Sequence, residues 1–174
     1  LKALVGAPPT MERSGAMELL LVRHGQPAWA VDGQSVLDPS LTELGRRQAE
    51  RLAEHLKALH ARRPHPLRLL VSPTLRTRQT AAPLARALGV EPEPAPLLEE
   101  IRMNPEWDGA PAEIVGRHLR EARTRDADGW WEGVPGGETY RGFHDRIVQG
   151  IESALQAHGV RPGAEGPIWD GDPD

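Results

Sequence analysis

The sequence has no cysteine, one tyrosine, one phenylalanine and no long uninterrupted apolar run. Without cysteine there can be no disulfide and no thiolate metal site. The short apolar stretch at residues 3–5 falls well below a signal-peptide core, and no run approaches the ~20 apolar residues that span a bilayer. Positive charge is not in excess either. Against 25 aspartates and glutamates stand 21 lysines and arginines, a formal net charge of -4, which gives no reason to expect nucleic acid or an anionic membrane as partner. Nor do the seven histidines replace cysteine as metal ligands. His55, His60 and His65 do not share a helix face as an i, i+4 pair does, and they read as solvated surface. The expectation is a cytoplasmic chain that needs no metal and no cofactor.

What is present is enough for one core. The chain has 174 residues, 39% hydrophobic and 26% charged, as in an ordinary globular domain. Residues 1–16 mix Gly6, Pro8, Pro9, Ser14 and Gly15 without periodicity and read as an extension. Residues 17–160 read as the folded domain, and 161–174 as an irregular tail.

Leu19 to Val22 form an apolar run suited to a buried strand, and the run breaks directly into Arg23, His24, Gly25 and Gln26. Asp38-Pro39-Ser40-Leu41-Thr42 then supplies turn and capping residues, and Leu44, Gln48, Leu52, Leu56 and Leu59 recur at helical spacing. Leu67 to Val71 is a second strand candidate. Ser72-Pro73 stands where a helix begins, and Leu75, Ala82, Ala85 and Leu88 carry that helix to Gly89. The proline-rich stretch from Glu91 to Pro96 must be extended and suits a sheet edge. Later helices are expected over Ala112–Ala122 and Thr139–Ala157, the second with Phe143, Ile147, Ile151 and Leu155 on one face. This β, α, β, α alternation predicts a parallel-rich sheet covered by helices, with ligand chemistry at the carboxyl ends of the strands.

Those strand ends carry suitable groups. A strand end holds its last side chains on rigid backbone, glycine permits close approach of a substrate, and arginine beside a neutral imidazole can present a phosphate to it. Arg76 falls in the first turn of the helix after Ser72-Pro73 and can point into the same crevice, at a helix start that itself favours anions. Arg78, two residues on, is rotated by about 200° and points elsewhere.

Several ordered motifs together resemble the histidine phosphatase superfamily, which includes cofactor-independent phosphatases and phosphoglycerate mutases. They are LVRHGQ at 21–26, DPSLTELGRRQA at 38–49, SPTLRTRQTA at 72–81, LLEEI at 97–101 followed by Trp107-Asp108-Gly109, and PGGET at 135–139. The resemblance implies a phosphoglycerate mutase-like three-layer α/β sandwich, its mostly parallel sheet flanked by helices. It also implies a covalent mechanism in which His24 becomes phosphorylated while Arg23 and Arg76 neutralise the phosphoryl oxygens. The proton for the leaving group falls to Glu100, with Glu99 as the competing candidate. Gln26 and the Gly136-Gly137 turn are candidate substrate contacts. The implied ligand is a small phosphorylated substrate, and self-association is left open. A catalytically impaired phosphate-binding module and a phosphoglycerate-type mutase remain alternatives to a phosphomonoesterase.

Three departures from the family pattern stand out. Ala30 occupies a position that often holds asparagine. Asn104-Pro105-Glu106 replaces a glycine and lengthens the loop after the acidic pair. The strand that should end in His-Gly-Gly, whose histidine completes the phosphate pocket, is missing. His158-Gly159 follows a helical repeat and reads as a helix end, and His118 and His144 sit in helical surroundings. A sheet left open beside the Arg23-His24 strand is the expected consequence.

Overall fold

The computed structural model describes residues 2–5, 18–62, 64–157, 159–162 and 169–171. Its main sheet has four strands: β1 (Lys2–Val5), β2 (Glu18–Leu21), β5 (Leu67–Val71) and β6 (Pro92–Pro94), in the order β2-β1-β5-β6. Strands β5 and β6 pair in parallel, whereas β1 pairs antiparallel with both β2 and β5. Three strands thus run in one direction with a reversed strand between them. Residues 2–5 therefore contribute to the sheet, a role not anticipated when 1–16 is read as an extension. Their register with β2 is continuous from Lys2↔Leu21 to Val5↔Glu18, while β5 is matched only at Leu4↔Arg68 and Val5↔Leu67.

Among the described residues β2 has a neighbour on one side only. Its Leu21 is 61% exposed, so the sheet is open beside the strand that leads to Arg23 and His24. A short ribbon of β3 (Ala30–Val31) and β4 (Gln34–Ser35) follows. At the other end of the chain, β7 (Val160–Pro162) and β8 (Trp169–Gly171) pair with one another and not with the main sheet. Part of the expected irregular tail is therefore a hairpin, and His158 lies outside the described residues.

Helices α1 (Glu43–Arg62) and α2 (Leu75–Leu88) pack together, and with Leu20, Val22, Leu69 and Val71 they enclose the principal core. The buried stripe of α1 is Gly45, Ala49, Ala53 and Leu56, rotated from the leucine pattern, and Leu44 and Leu59 are more than 40% exposed. Small residues prevail there because α1 lies close to α2 and to the end of β2. A Cβ on Gly25 would collide with the Gly45 carbonyl, and one on Gly45 would collide with the backbone of Gln26. Close approach thus requires both glycines.

Helix α2 begins at Leu75, later than Ser72-Pro73 suggests, and its N-cap residue Thr74 makes no side-chain cap. Asp38 from a distant loop supplies it, its Oδ1 accepting the Leu75 N–H at 2.7 Å. The helix closes at Gly89 with φ 67°, as its glycine predicts. A second, smaller core gathers Trp107, Val115, Ala122 and Val134 around α3 (Ala112–Arg123). The ring of His118 stacks on Trp107 there, with centroids 5.7 Å apart. A short α4 (Ala127–Trp131) leads to α5 (Tyr140–Gln156), which brings Phe143 and Ile147 to the open end of the sheet. No helix among the described residues is long and apolar enough to cross a membrane.

Candidate active site

The chain leaves β2 and β5 on the same side of the sheet, and there a cavity of about 420 Å³ opens. Arg23, His24, Thr74, Arg76, Glu99 and Glu100 are among its polar lining, and Trp29, Leu98, Phe143 and Ile147 lie among its apolar walls. Of the residues singled out from sequence, Arg23, His24, Arg76 and Glu100 line this one cavity. Gln26 does not join them. Its Oε1 accepts a hydrogen bond from Thr42 Oγ1 at 2.8 Å, which holds it against the start of α1. Gly136 and Gly137 also lie elsewhere, packed on Asn104 and on the Arg102 carbonyl.

His24 is half-buried, with Nδ1 2.8 Å from the carbonyl oxygen of Gly25. A carbonyl only accepts, so this contact places the ring proton on Nδ1 and leaves the Nε2 lone pair free. Burial is the main reason the imidazole pKa falls below its ordinary value, and the charge of Arg76 adds to the effect. The Gly25 carbonyl and Glu100 oppose it. The result is a neutral ring at neutral pH with one nitrogen available for attack.

Arg76 is 4% exposed, in contrast to the solvent-facing Arg78. Its Nη2 donates to Glu100 Oε2 at 2.9 Å, and its guanidinium carbon lies 4.8 Å from the centroid of the Trp29 ring. Asp38 Oδ1 stands 3.6 Å from Nη1, too far for a hydrogen bond. Both Nε and Nη1 are buried without a hydrogen-bond partner. Buried donors of a charged group rarely go unsatisfied, and either guanidinium edge that could grip an anion bidentately includes Nη2, which Glu100 now occupies.

The two candidate acids have different surroundings. Glu99 is held by Arg102, whose Nη2 and Nε lie 2.8 and 3.1 Å from its Oε2. Glu100 instead faces Arg76 and the cavity. The loop that carries both is braced by a pair not singled out in the sequence. Arg146 of α5 donates to Glu138 at 2.8 and 2.9 Å and to the carbonyl of Glu99 at 3.0 Å. Glu138 also accepts from the Arg102 N–H, and its own N–H donates to the Arg102 carbonyl at 2.7 Å. The PGGET segment therefore supports the acid-bearing loop through Glu138. Asn104, where the family pattern is broken, is fitted into the same brace by donating to the Pro135 carbonyl at 3.1 Å.

The Arg146 hydrogen bonds are the main reason the Glu138 carboxyl is held below the usual carboxylate range. A depressed folded-state pKa contributes stability that is present above the unfolded value and lost as pH falls through the folded one. Thermal unfolding of Glu138→Gln is expected to show a loss of about 2 kcal/mol near neutral pH. The difference from the unchanged chain should shrink as pH falls below the ordinary carboxylate range. A loss independent of pH would show that the Glu138 charge is not its source.

Residues 19–161 match the histidine phosphatase superfamily, branch 1. The chain belongs to this superfamily. It is 31% identical over 149 residues to phosphoserine phosphatase 1 of Hydrogenobacter thermophilus, covering 82% of this chain and 66% of that protein. With the probable phosphoglycerate mutase GpmB of Yersinia enterocolitica it shares 30% identity, covering 80% of this chain and 64% of the relative. The chain thus spans about two thirds of the length of these relatives. Among solved structures, a mycobacterial glucosyl-3-phosphoglycerate phosphatase in complex with inorganic phosphate superposes with a TM-score of 0.56 and 27% identity. That match covers 86% of this chain and 64% of the other. The phosphoglycerate mutase-like α/β fold and the kinship with phosphatases and mutases are thereby established.

Proposed function

We propose that the chain is a metal-independent phosphomonoesterase that works through a phosphohistidine on His24. The observation that carries this reading is Arg76, buried, with two N–H groups unpartnered, lining one cavity with an imidazole whose Nε2 is free. A small phosphorylated molecule is the ligand such a site accepts.

On binding, phosphoryl oxygens engage Arg76 and Arg23, and Glu100 gives up its place on Arg76. Nε2 attacks phosphorus in line, forming the P–N bond as the P–O bond to the leaving group breaks. Glu100 delivers its proton to the departing oxygen. Water then attacks phosphorus, Glu100 takes the proton back, and inorganic phosphate leaves with His24 restored. Neutrality of the ring favours the first step, since only the unprotonated nitrogen has a lone pair to donate.

The chain is expected to hydrolyse p-nitrophenyl phosphate in the presence of a chelator at an undiminished rate. Glu100→Gln should slow alkyl phosphates by about 10²-fold or more, because their leaving oxygen needs a proton, and p-nitrophenyl phosphate by less than about tenfold. Glu99→Gln, whose carboxylate Arg102 already holds, is the mild control. Equal losses on both substrate types would reject Glu100 as the acid, and absence of hydrolysis of either by the unchanged chain would reject the phosphatase reading.

A further inference from the structure

We infer that Thr80 is a positioning residue that sets the nucleophile against the phosphate-binding arginine, an inference that rests on the phosphohistidine reading. Thr80 is 1% exposed and lies in α2 one turn after Arg76. Its Oγ1 donates to the Arg76 carbonyl at 2.7 Å and accepts the Gly25 N–H at 3.1 Å. The first bond is ordinary for a helical threonine. The second is not, because it leaves the helix for a backbone amide 55 residues away, on the peptide that joins Gly25 to His24. One hydroxyl thus ties the backbone of the attacking residue to the backbone of the residue that holds phosphate.

The neighbouring peptide is held from the other side. Gln26 N–H donates to Gln48 Oε1 of α1 at 2.8 Å, and Gly25 itself is packed against Gly45. The end of β2 is therefore suspended between two helices. Gln48 and Gly45 fix it to α1, and Thr80 fixes it to α2, the helix that carries Arg76. Losing the α1 contacts would move His24 relative to everything else, whereas losing Thr80 would specifically release His24 from Arg76. In-line attack requires reacting atoms within roughly 3–3.5 Å, and a shift of about 1 Å can lower the rate 10²-fold. Ground-state binding of phosphate by Arg76 makes no such demand. Thr80 should therefore act on kcat and leave binding almost untouched.

The test is Thr80→Val, which keeps the shape and removes both hydrogen bonds, with Thr80→Ser as the rescue that restores the hydroxyl. Single-turnover phosphorylation of His24 by p-nitrophenyl phosphate is expected to slow about 10- to 100-fold in the valine variant, with KM within about threefold of the unchanged chain. Vanadate, which mimics the five-coordinate transition state, should lose affinity in parallel, while inorganic phosphate should not. The serine variant should recover most of the rate. Should the valine variant fail to fold, Thr80→Ala provides the same readout. If the unchanged chain forms phosphohistidine and the folded variant forms it equally fast, or if phosphate and vanadate affinities fall together, the role assigned to Thr80 is wrong and the functional reading stands. If the unchanged chain forms no phosphohistidine, both are overturned.

Discussion

His24→Ala is expected to lower turnover of p-nitrophenyl phosphate by about 10³-fold or more and to eliminate the phosphoenzyme entirely. The size of the effect follows from the covalent route. On the proposed route every other group at the site acts on a bond that His24 makes, so without the imidazole they would orient a phosphate but not transfer it. Substrate affinity should change little, because the guanidinium groups assigned to the phosphoryl oxygens in the proposed mechanism remain. Since His24 is only half-buried, the substitution leaves the fold intact and the loss can be read as chemistry. A phosphoenzyme that persists in this variant would place the nucleophile at another residue lining the cavity.

Arg76→Ala comes next in size. It removes the guanidinium that pairs with Glu100 and stands beside Asp38, and with it two buried donors that have no partner in the structure. Both kcat and the affinity for inorganic phosphate should fall, with kcat/KM lower by about 10²- to 10³-fold. Arg76→Lys should recover only part of this, since an ammonium restores the charge without the forked donor pair. Arg78→Ala, solvent-facing two residues along the same helix, should leave both quantities within about twofold, as expected for a surface change. Kinetics alongside titration calorimetry with phosphate would separate these outcomes. Equal effects at Arg76 and Arg78 would reduce the role of Arg76 to general electrostatics.

Local chemistry decides which features were legible in the sequence. The strand before Arg23 is announced by its apolar run, and α2 and its end are announced by a turn and a glycine, so the meeting of His24 with Arg76 follows from two strand-to-turn transitions. Choosing Glu100 over Glu99 depends on where Arg102 points, which the residue pattern alone does not reveal. The buried face of α1 is not legible from its leucines, because Leu44 and Leu59 face solvent, whereas close packing on α2 and on the end of β2 selects Gly45, Ala49 and Ala53. Gln26 was drawn away by Thr42, a partner sixteen positions on whose proximity depends on the fold. The brace formed by Glu138 and Arg146 lies in a motif that reads as a turn, and only its geometry shows what it supports. Strand β1 is hidden for a similar reason. Four residues without periodic surroundings give no local signal, and their pairing is specified by the strands on either side.

The proposed chemistry predicts one covalent species at one atom. The unchanged chain should be quenched during steady-state turnover of p-nitrophenyl phosphate, digested under alkaline conditions that preserve phosphoramidates, and mapped by mass spectrometry. Phosphate is expected on the peptide containing Arg23-His24-Gly25, on the His24 ring, and the label should disappear on acid treatment. Phosphate found on a hydroxyl or carboxyl side chain, or steady turnover with no labelled peptide at all, would contradict nucleophilic attack by His24.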